Sequence, residues 1–142
     1  MSFELDPRLQ SDTLMLAHLP LSELLLLNDA RYPWLLLVPR RLGLRELCEL
    51  DAVDQKQLTL ESNAVSQLLL SVFEAEKLNI AALGNMVPQL HIHHIARYAS
   101  DDAWPQPVWG LHPAIPYEKE ALAACIERVK KGLHSVQADW RC

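Results

Sequence analysis

The chain has 142 residues, half of them hydrophobic and 22% charged, with a formal net charge of -5. This size and composition predict one folded domain over residues 1–142 and exclude a disordered chain. The net negative charge and the lack of a cluster of Lys and Arg residues argue against general nucleic-acid binding through phosphate contacts. An odd number of cysteines and an acidic N-terminus predict a cytoplasmic protein. The apolar runs are too short to span a membrane. The cysteines are Cys48, Cys125 and Cys142.

Short apolar runs bounded by turn residues predict strands over residues 13–18, 22–28 and 34–38. The polar stretch between the second and third runs, residues 28–33, predicts a hairpin loop. Asp51 is a candidate N-cap for a long helix whose apolar periodicity continues to about Ala75.

Two further strands and a final helix are predicted in the second half of the chain. The strands cover residues 78–83 and 90–98, with a turn at residues 84–85 and an irregular, proline-rich loop over residues 101–116. The helix covers residues 118–131, and Gly132 is expected to terminate it. The resulting order, β-β-β-α-β-β-α, predicts an α+β domain with an antiparallel sheet, a long helix between strands and a C-terminal helix.

The run of residues 87–97 carries the most informative chemistry. Side chains alternate between the two faces of a strand, so Gln89, His91 and His93 are predicted to share one face. His94 is predicted to point to the opposite face, where packing under a helix or at a subunit contact is favoured over a functional role.

A neutral imidazole can attack phosphorus and carry the transferred group covalently, provided that its other nitrogen is held by a hydrogen bond. Neighbouring donors must also stabilise the phosphoryl oxygens. His91 is therefore the candidate nucleophile, with His93 and Gln89 as flanking groups. Two readings stay open beside this one: a purely structural cluster, and a metal site using His91 and His93 with ligands that the spacing does not identify.

At these residues the chain resembles the histidine-triad (HIT) superfamily, whose signature is three histidines alternating with apolar residues. The lead-in Gly84-Asn85-Met86-Val87-Pro88 and the earlier segment from Leu27-Asn28 to Val38-Pro39-Arg40 resemble further family segments. The resemblance implies a HIT-like fold paired into a homodimer and a nucleotide or nucleoside phosphate derivative as substrate. It identifies His91 as the nucleophile and His93 as a phosphate contact. It also implies a phosphate contact at Asn85 and a ribose contact at Asn28.

Two positions depart from the family pattern. Gln89 stands at the first triad position and cannot transfer a proton, and Trp34 stands where many members have a fourth histidine. Arg97 is a further candidate phosphate contact, and Trp104 and Trp109 are expected to pack the core.

The sequence thus predicts a HIT-type hydrolase or nucleotidyl transferase that acts at the α-phosphorus through a covalent nucleotidyl-histidine. The alternatives are a nucleotide-binding module with weak or no catalysis, and a metal-dependent hydrolase. No cofactor is expected to be required, although a divalent metal is compatible with the chemistry.

Overall fold

The structure is a computed structural model that describes residues 2–137 and Trp140. Cys142, one of the three cysteines used above, lies outside the described residues. The described part contains five strands and three α-helices, which confirms the predicted α+β class. The strands are β1 (Thr13–His18), β2 (Ser22–Leu27), β3 (Trp34–Pro39), β4 (Lys77–Ala81) and β5 (Ile92–Arg97). The helices are α1 (Pro7–Asp12), α2 (Ala52–Ser71) and α3 (Lys119–Val136), with a 3₁₀ turn at Leu47–Glu49.

All five strands form one antiparallel sheet in the order β1-β2-β3-β5-β4. The central strand β3 is buried along its whole length, because apolar layers cover both faces of the sheet. Helices α2 and α3 pack on one face. The N-terminal segment, α1 and part of the loop 98–118 cover the other face, which also carries His91 and His93.

A buried carboxylate ties α2 to the turn between β1 and β2. Glu61, which is fully buried, accepts hydrogen bonds from the backbone N–H groups of Leu21 (2.7 Å) and Ser22 (3.0 Å). These backbone donors would otherwise be left without a partner at the turn, so the carboxylate satisfies them and fixes the helix against the sheet.

Helix α2 begins as predicted and ends earlier than predicted. The Asp51 side chain accepts from the Asp54 N–H at 2.8 Å, which confirms the N-cap. The helix ends at Ser71 rather than near Ala75, because Glu74 adopts a left-handed backbone (φ 52°). The Ala75 N–H then donates back to the Leu69 carbonyl (3.2 Å), a common way to close a helix C-terminus.

The predicted end of the last helix is wrong. Helix α3 continues through Gly132 to Val136. A Cβ at Gly132 would lie 2.7 Å from Val72 Cγ2 and 3.0 Å from Leu68 Cγ, so this glycine serves the close approach of α3 to the end of α2.

Helix α1 was not predicted, although Asp6 and Pro7 carry the signals of a helix start. The Asp6 side chain accepts from the Arg8 N–H (2.8 Å), and proline occupies the first turn, where its missing N–H costs nothing. Among the described residues, no helix is both long enough and apolar enough to cross a membrane.

Candidate active site

The three neighbouring histidines divide between the two faces of the sheet, as alternation predicts. The rings of His91 and His93 lie together, with centroids 5.0 Å apart. The fully buried His94 ring lies on the other face, where Nε2 is 2.8 Å from Ser62 Oγ of α2. The second nitrogen of His94 is 3.1 Å from the Ile92 carbonyl. Burial lowers the pKa of His94 to about 4, so this ring is a neutral structural element between sheet and helix.

His91 directly precedes β5. The predicted strand begins too early at residue 90, because the Leu90 N–H bonds to the Leu44 carbonyl instead of to β3. His91 Nδ1 is 2.7 Å from the backbone carbonyl of Gln89. A carbonyl oxygen only accepts, so Nδ1 carries the proton of the neutral ring and Nε2 keeps its lone pair. This is the state that a nucleophilic imidazole requires.

His93 lies in an aromatic pocket on the same face. The indole N–H of Trp34 donates to His93 Nδ1 at 2.9 Å, and the Trp109 ring meets the imidazole edge-on with centroids 5.4 Å apart. Burial, followed by repulsion from His91 and His94, lowers the pKa of His93 to about 3. His93 is therefore neutral at physiological pH and can donate a hydrogen bond without carrying charge.

The Gln89 side chain contacts the N-terminal segment. Its amide nitrogen donates to the Glu4 carbonyl (2.9 Å), and its amide oxygen accepts from the Asp6 N–H (2.9 Å). The sequence predicted a side chain that flanks His91. The contact between these residues is made instead by the Gln89 backbone carbonyl, while the side chain holds the N-terminal segment in place.

Arg97 is buried at the end of β5, where its side chain is 2% exposed. Its guanidinium donates to both carboxylate oxygens of Asp101, to the Asn79 side chain and to the Gln106 carbonyl. Burial alone would raise the pKa of Asp101, but hydrogen bonds from Arg97 and from backbone N–H groups lower it to about 2. This placement favours a structural role for Arg97, because a phosphate could reach the guanidinium only if the cluster opened.

The expected phosphate and ribose contacts lie at two separate places. Asn85 is exposed in the loop between β4 and β5, next to Gly84, whose positive φ of 74° suits glycine. Gly84 and His91 border the same small cavity, so this turn lies close to the candidate nucleophile. Asn28 is half-buried, and its side-chain oxygen accepts from the Tyr117 N–H (2.9 Å), which links the β2–β3 loop to the segment before α3.

Sequence reasoning missed one partner of His93 and one partner of Gln89. Trp34 was noted only as a departure from the family pattern, and its bond to His93 depends on a pairing between β3 and β5 that the sequence did not specify. The Glu4–Asp6 backbone carries no side-chain signal for its contact with Gln89. Within residues 2–137 and Trp140, no group of three or more His, Cys, Asp or Glu is arranged to hold a metal ion.

The comparisons with known proteins agree with the fold. The HIT domain family model matches residues 8–100. The structure of a histidine triad protein from Marinobacter aquaeolei VT8 has a TM-score of 0.92 and 46% identity, and covers 96% of this chain and 99% of its own. Those from Bradyrhizobium japonicum and Sinorhizobium meliloti are each 45% identical, with TM-scores of 0.91 and 0.89. They cover 94% and 92% of this chain, and 99% and 96% of their own.

A comparison with curated proteins gave no significant match. The family match covers well over half of the chain, and the three solved structures extend the likeness to nearly its whole length. The chain therefore belongs to the HIT domain family.

Proposed function

We propose that this chain is a nucleotide-type phosphate-ester hydrolase or nucleotidyl transferase that acts at the α-phosphorus through a covalent intermediate on His91. The observation that carries the proposal is the hydrogen bond between His91 Nδ1 and the Gln89 carbonyl at 2.7 Å, which keeps the Nε2 lone pair free. Membership of the HIT domain family supports the substrate class.

The chemistry takes two displacements. In the first, His91 Nε2 forms a bond to the α-phosphorus, and the bond from phosphorus to the leaving group breaks with its electrons on the leaving group. In the second, water attacks the phosphorus, and the P–N bond breaks with its electrons returning to Nε2. The leaving group gains one proton and the water loses one, so hydrolysis is balanced. Gln89 cannot move that proton, so slow turnover is expected when the leaving group is a poor one.

The phosphate is proposed to contact His93 and the exposed amide of Asn85, and the ribose is proposed to contact Asn28. Asn85 has the clearest route to substrate, because it is exposed at the turn that borders the His91 cavity. Asn28 would have to share its side chain with the Tyr117 N–H that it already accepts from. A substrate contact from Arg97 would require the surrounding cluster to open, because the guanidinium is buried and already bonded to Asp101.

Turnover by a His91 variant tests the proposal. His91→Asn should lower the turnover of nucleoside phosphoramidates or dinucleoside polyphosphates by at least about a thousandfold, because the covalent route is removed. His18→Asn is a matched control, since its side chain is 67% exposed and lies outside the site. A His91→Asn variant that retains wild-type turnover would show that another group performs the chemistry.

A second candidate is a nucleotide-binding module with weak or no catalysis. The Gln89 amide is bonded to the N-terminal segment, and the His91 residue is only 7% exposed, both of which are compatible with a site that binds better than it reacts. This candidate predicts binding of a nucleoside monophosphate without turnover by the wild-type chain. A metal-dependent hydrolase would instead contain a stoichiometric metal, which elemental analysis of untagged protein would detect.

A further inference from the structure

The two histidines on the site face have different partners at the same ring atom. His93 Nδ1 is 2.9 Å from the Trp34 indole nitrogen, and His91 Nδ1 is 2.7 Å from the Gln89 carbonyl. An indole N–H can only donate, so His93 Nδ1 must accept and the proton of the neutral ring must lie on Nε2. A carbonyl can only accept, so His91 carries its proton on Nδ1. Neighbouring rings are thereby held in opposite tautomers.

We propose that Trp34 is a positioning residue that acts through His93 by holding the proton of that ring on Nε2. In this state His93 donates a hydrogen bond to a phosphoryl oxygen while the lone pair of His91 Nε2 attacks the phosphorus. The catalytic role of this hydrogen bond rests on the proposed function. The tautomer of His93 does not, because it follows from the hydrogen bond alone.

The sheet register explains how Trp34 reaches this ring. Trp34 of β3 lies opposite Ile95 of β5, and Leu36 lies opposite His93. Trp34 and His93 are therefore diagonal neighbours on one face of an antiparallel pair, a distance that a large aromatic side chain can span. Both are 7% exposed, so water competes poorly for the bond between them.

The surroundings of His93 reinforce the same state. Trp109 packs edge-on against both the imidazole and the Trp34 ring, with centroid distances of 5.4 Å and 6.1 Å. The Trp109 ring therefore fills the space beside the imidazole, while the bond from the indole N–H sets the orientation of Nδ1. Protonation of Nδ1 would require that bond to break in a buried site, which opposes the charged form.

Nitrogen-15 NMR of the histidine rings tests the tautomer directly. In the wild-type chain near pH 7, His93 should show an unprotonated Nδ1 and a protonated Nε2, and His91 should show the reverse. Trp34→Phe removes the donor and keeps an aromatic ring, so Nδ1-protonated His93 should become populated. Trp109→Phe is the matched control, because it shrinks a ring on the same imidazole and leaves the bond to Nδ1 intact.

The kinetic consequence follows from the loss of one buried hydrogen bond. Trp34→Phe should lower kcat by roughly 3- to 10-fold and change KM by less than about twofold. A wild-type spectrum that shows the proton on His93 Nδ1 overturns the inference. This test needs no variant, so the inference can be tested even if Trp34→Phe does not fold. A folded Trp34→Phe with the wild-type tautomer or unchanged kcat also overturns it. If the wild-type chain shows no turnover, the proposed function and the catalytic part of the inference fail, while the spectrum still decides the tautomer.

Discussion

Hydrogen-bond partners give the rings of the three neighbouring histidines different chemical environments. His91 meets a carbonyl, His93 meets an indole N–H, and His94 lies between the Ile92 carbonyl and a serine hydroxyl. These partners decide which ring nitrogen carries the proton, and that decides whether the ring can attack, donate or only pack. The residue types alone do not specify this division.

The buried histidines predict how the free energy of unfolding changes as the pH falls. The folded-state pKa values of His93 and His94 are lowered to about 3 and about 4 from the ordinary 6.5. The unfolded chain therefore binds more protons as pH falls below about 6.5, so the stability contributed by both neutral rings is present above that pH and is lost below it. Each ring should contribute a slope of about 1.4 kcal/mol per pH unit near pH 5. Denaturant unfolding measured between pH 7 and pH 4.5 checks the slope.

Substitution of single histidines tests whether the buried rings cause the pH dependence of the free energy of unfolding. His94→Gln should reduce the pH dependence, because it removes one of the two buried titrating groups. His18→Asn is the matched control for the removal of an exposed histidine, since this side chain is 67% exposed. A free energy of unfolding that stays flat from pH 7 to pH 4.5 in the wild-type chain would contradict the account.

At the scale of elements, the antiparallel pairing of β3 with β5 builds the site. It places Trp34 diagonally from His93, and it turns His94 toward α2 on the other face. The helices that cover this opposite face pack closely enough to require a glycine at residue 132. The packing of α2 against α3 therefore supports the sheet from behind the site.

Gly132→Ala should destabilise the fold despite the higher helix propensity of alanine. The propensity gain is about 1 kcal/mol, whereas overpacking against Val72 and Leu68 costs about 1–3 kcal/mol. We expect a net loss of about 1 kcal/mol in the free energy of unfolding, measured by denaturant titration.

Two companion variants isolate the clash in Gly132→Ala. Ser135→Ala changes an exposed position of the same helix and should leave stability nearly unchanged. Val72→Ala should make room for the new methyl group. Adding Gly132→Ala to the Val72→Ala variant should therefore cause no further loss in the free energy of unfolding. If Gly132→Ala stabilises the wild-type background, the close approach of the helices is not the reason for the glycine.

Much of this arrangement could be predicted from short-range patterns in the sequence. Alternation correctly separated His94 from His91 and His93, and capping chemistry correctly identified Asp51. The errors arose where long-range contacts decide the outcome. Glycine often ends a helix, but at residue 132 it is needed because α2 lies too close for a side chain. The role of the Gln89 amide depends on backbone groups 83 and 85 residues away, which no local pattern reveals.

At the scale of the molecule, the site lies under a cover made by the chain itself. Phe3 and Leu5 pack against the cluster that contains Trp34, and Gln89 bonds to the backbone beside them. His91 is 7% exposed and borders a small cavity beside Gly84, so the proposed binding of a nucleotide there requires the surrounding chain to move.

The proposed homodimer is a prediction for the whole molecule, with helix α2 as the candidate contact. Val53 and Leu60 lie two helical turns apart on α2 and are 76% and 51% exposed, so pairing would remove these two apolar side chains from water. Sedimentation velocity at micromolar concentration should give the mass of two chains, and Val53→Glu with Leu60→Glu should shift it toward one. A wild-type monomer at that concentration would refute the dimer.

Mass spectrometry of the intact protein tests the central claim most directly. The wild-type chain is mixed with a nucleoside phosphoramidate and quenched within the first turnover. We expect a mass increase of one nucleoside monophosphoryl group, located on the peptide that contains His91 and lacking in His91→Asn. Turnover without this adduct at any quench time, or an adduct that persists in His91→Asn, would contradict the assignment of His91 as the nucleophile.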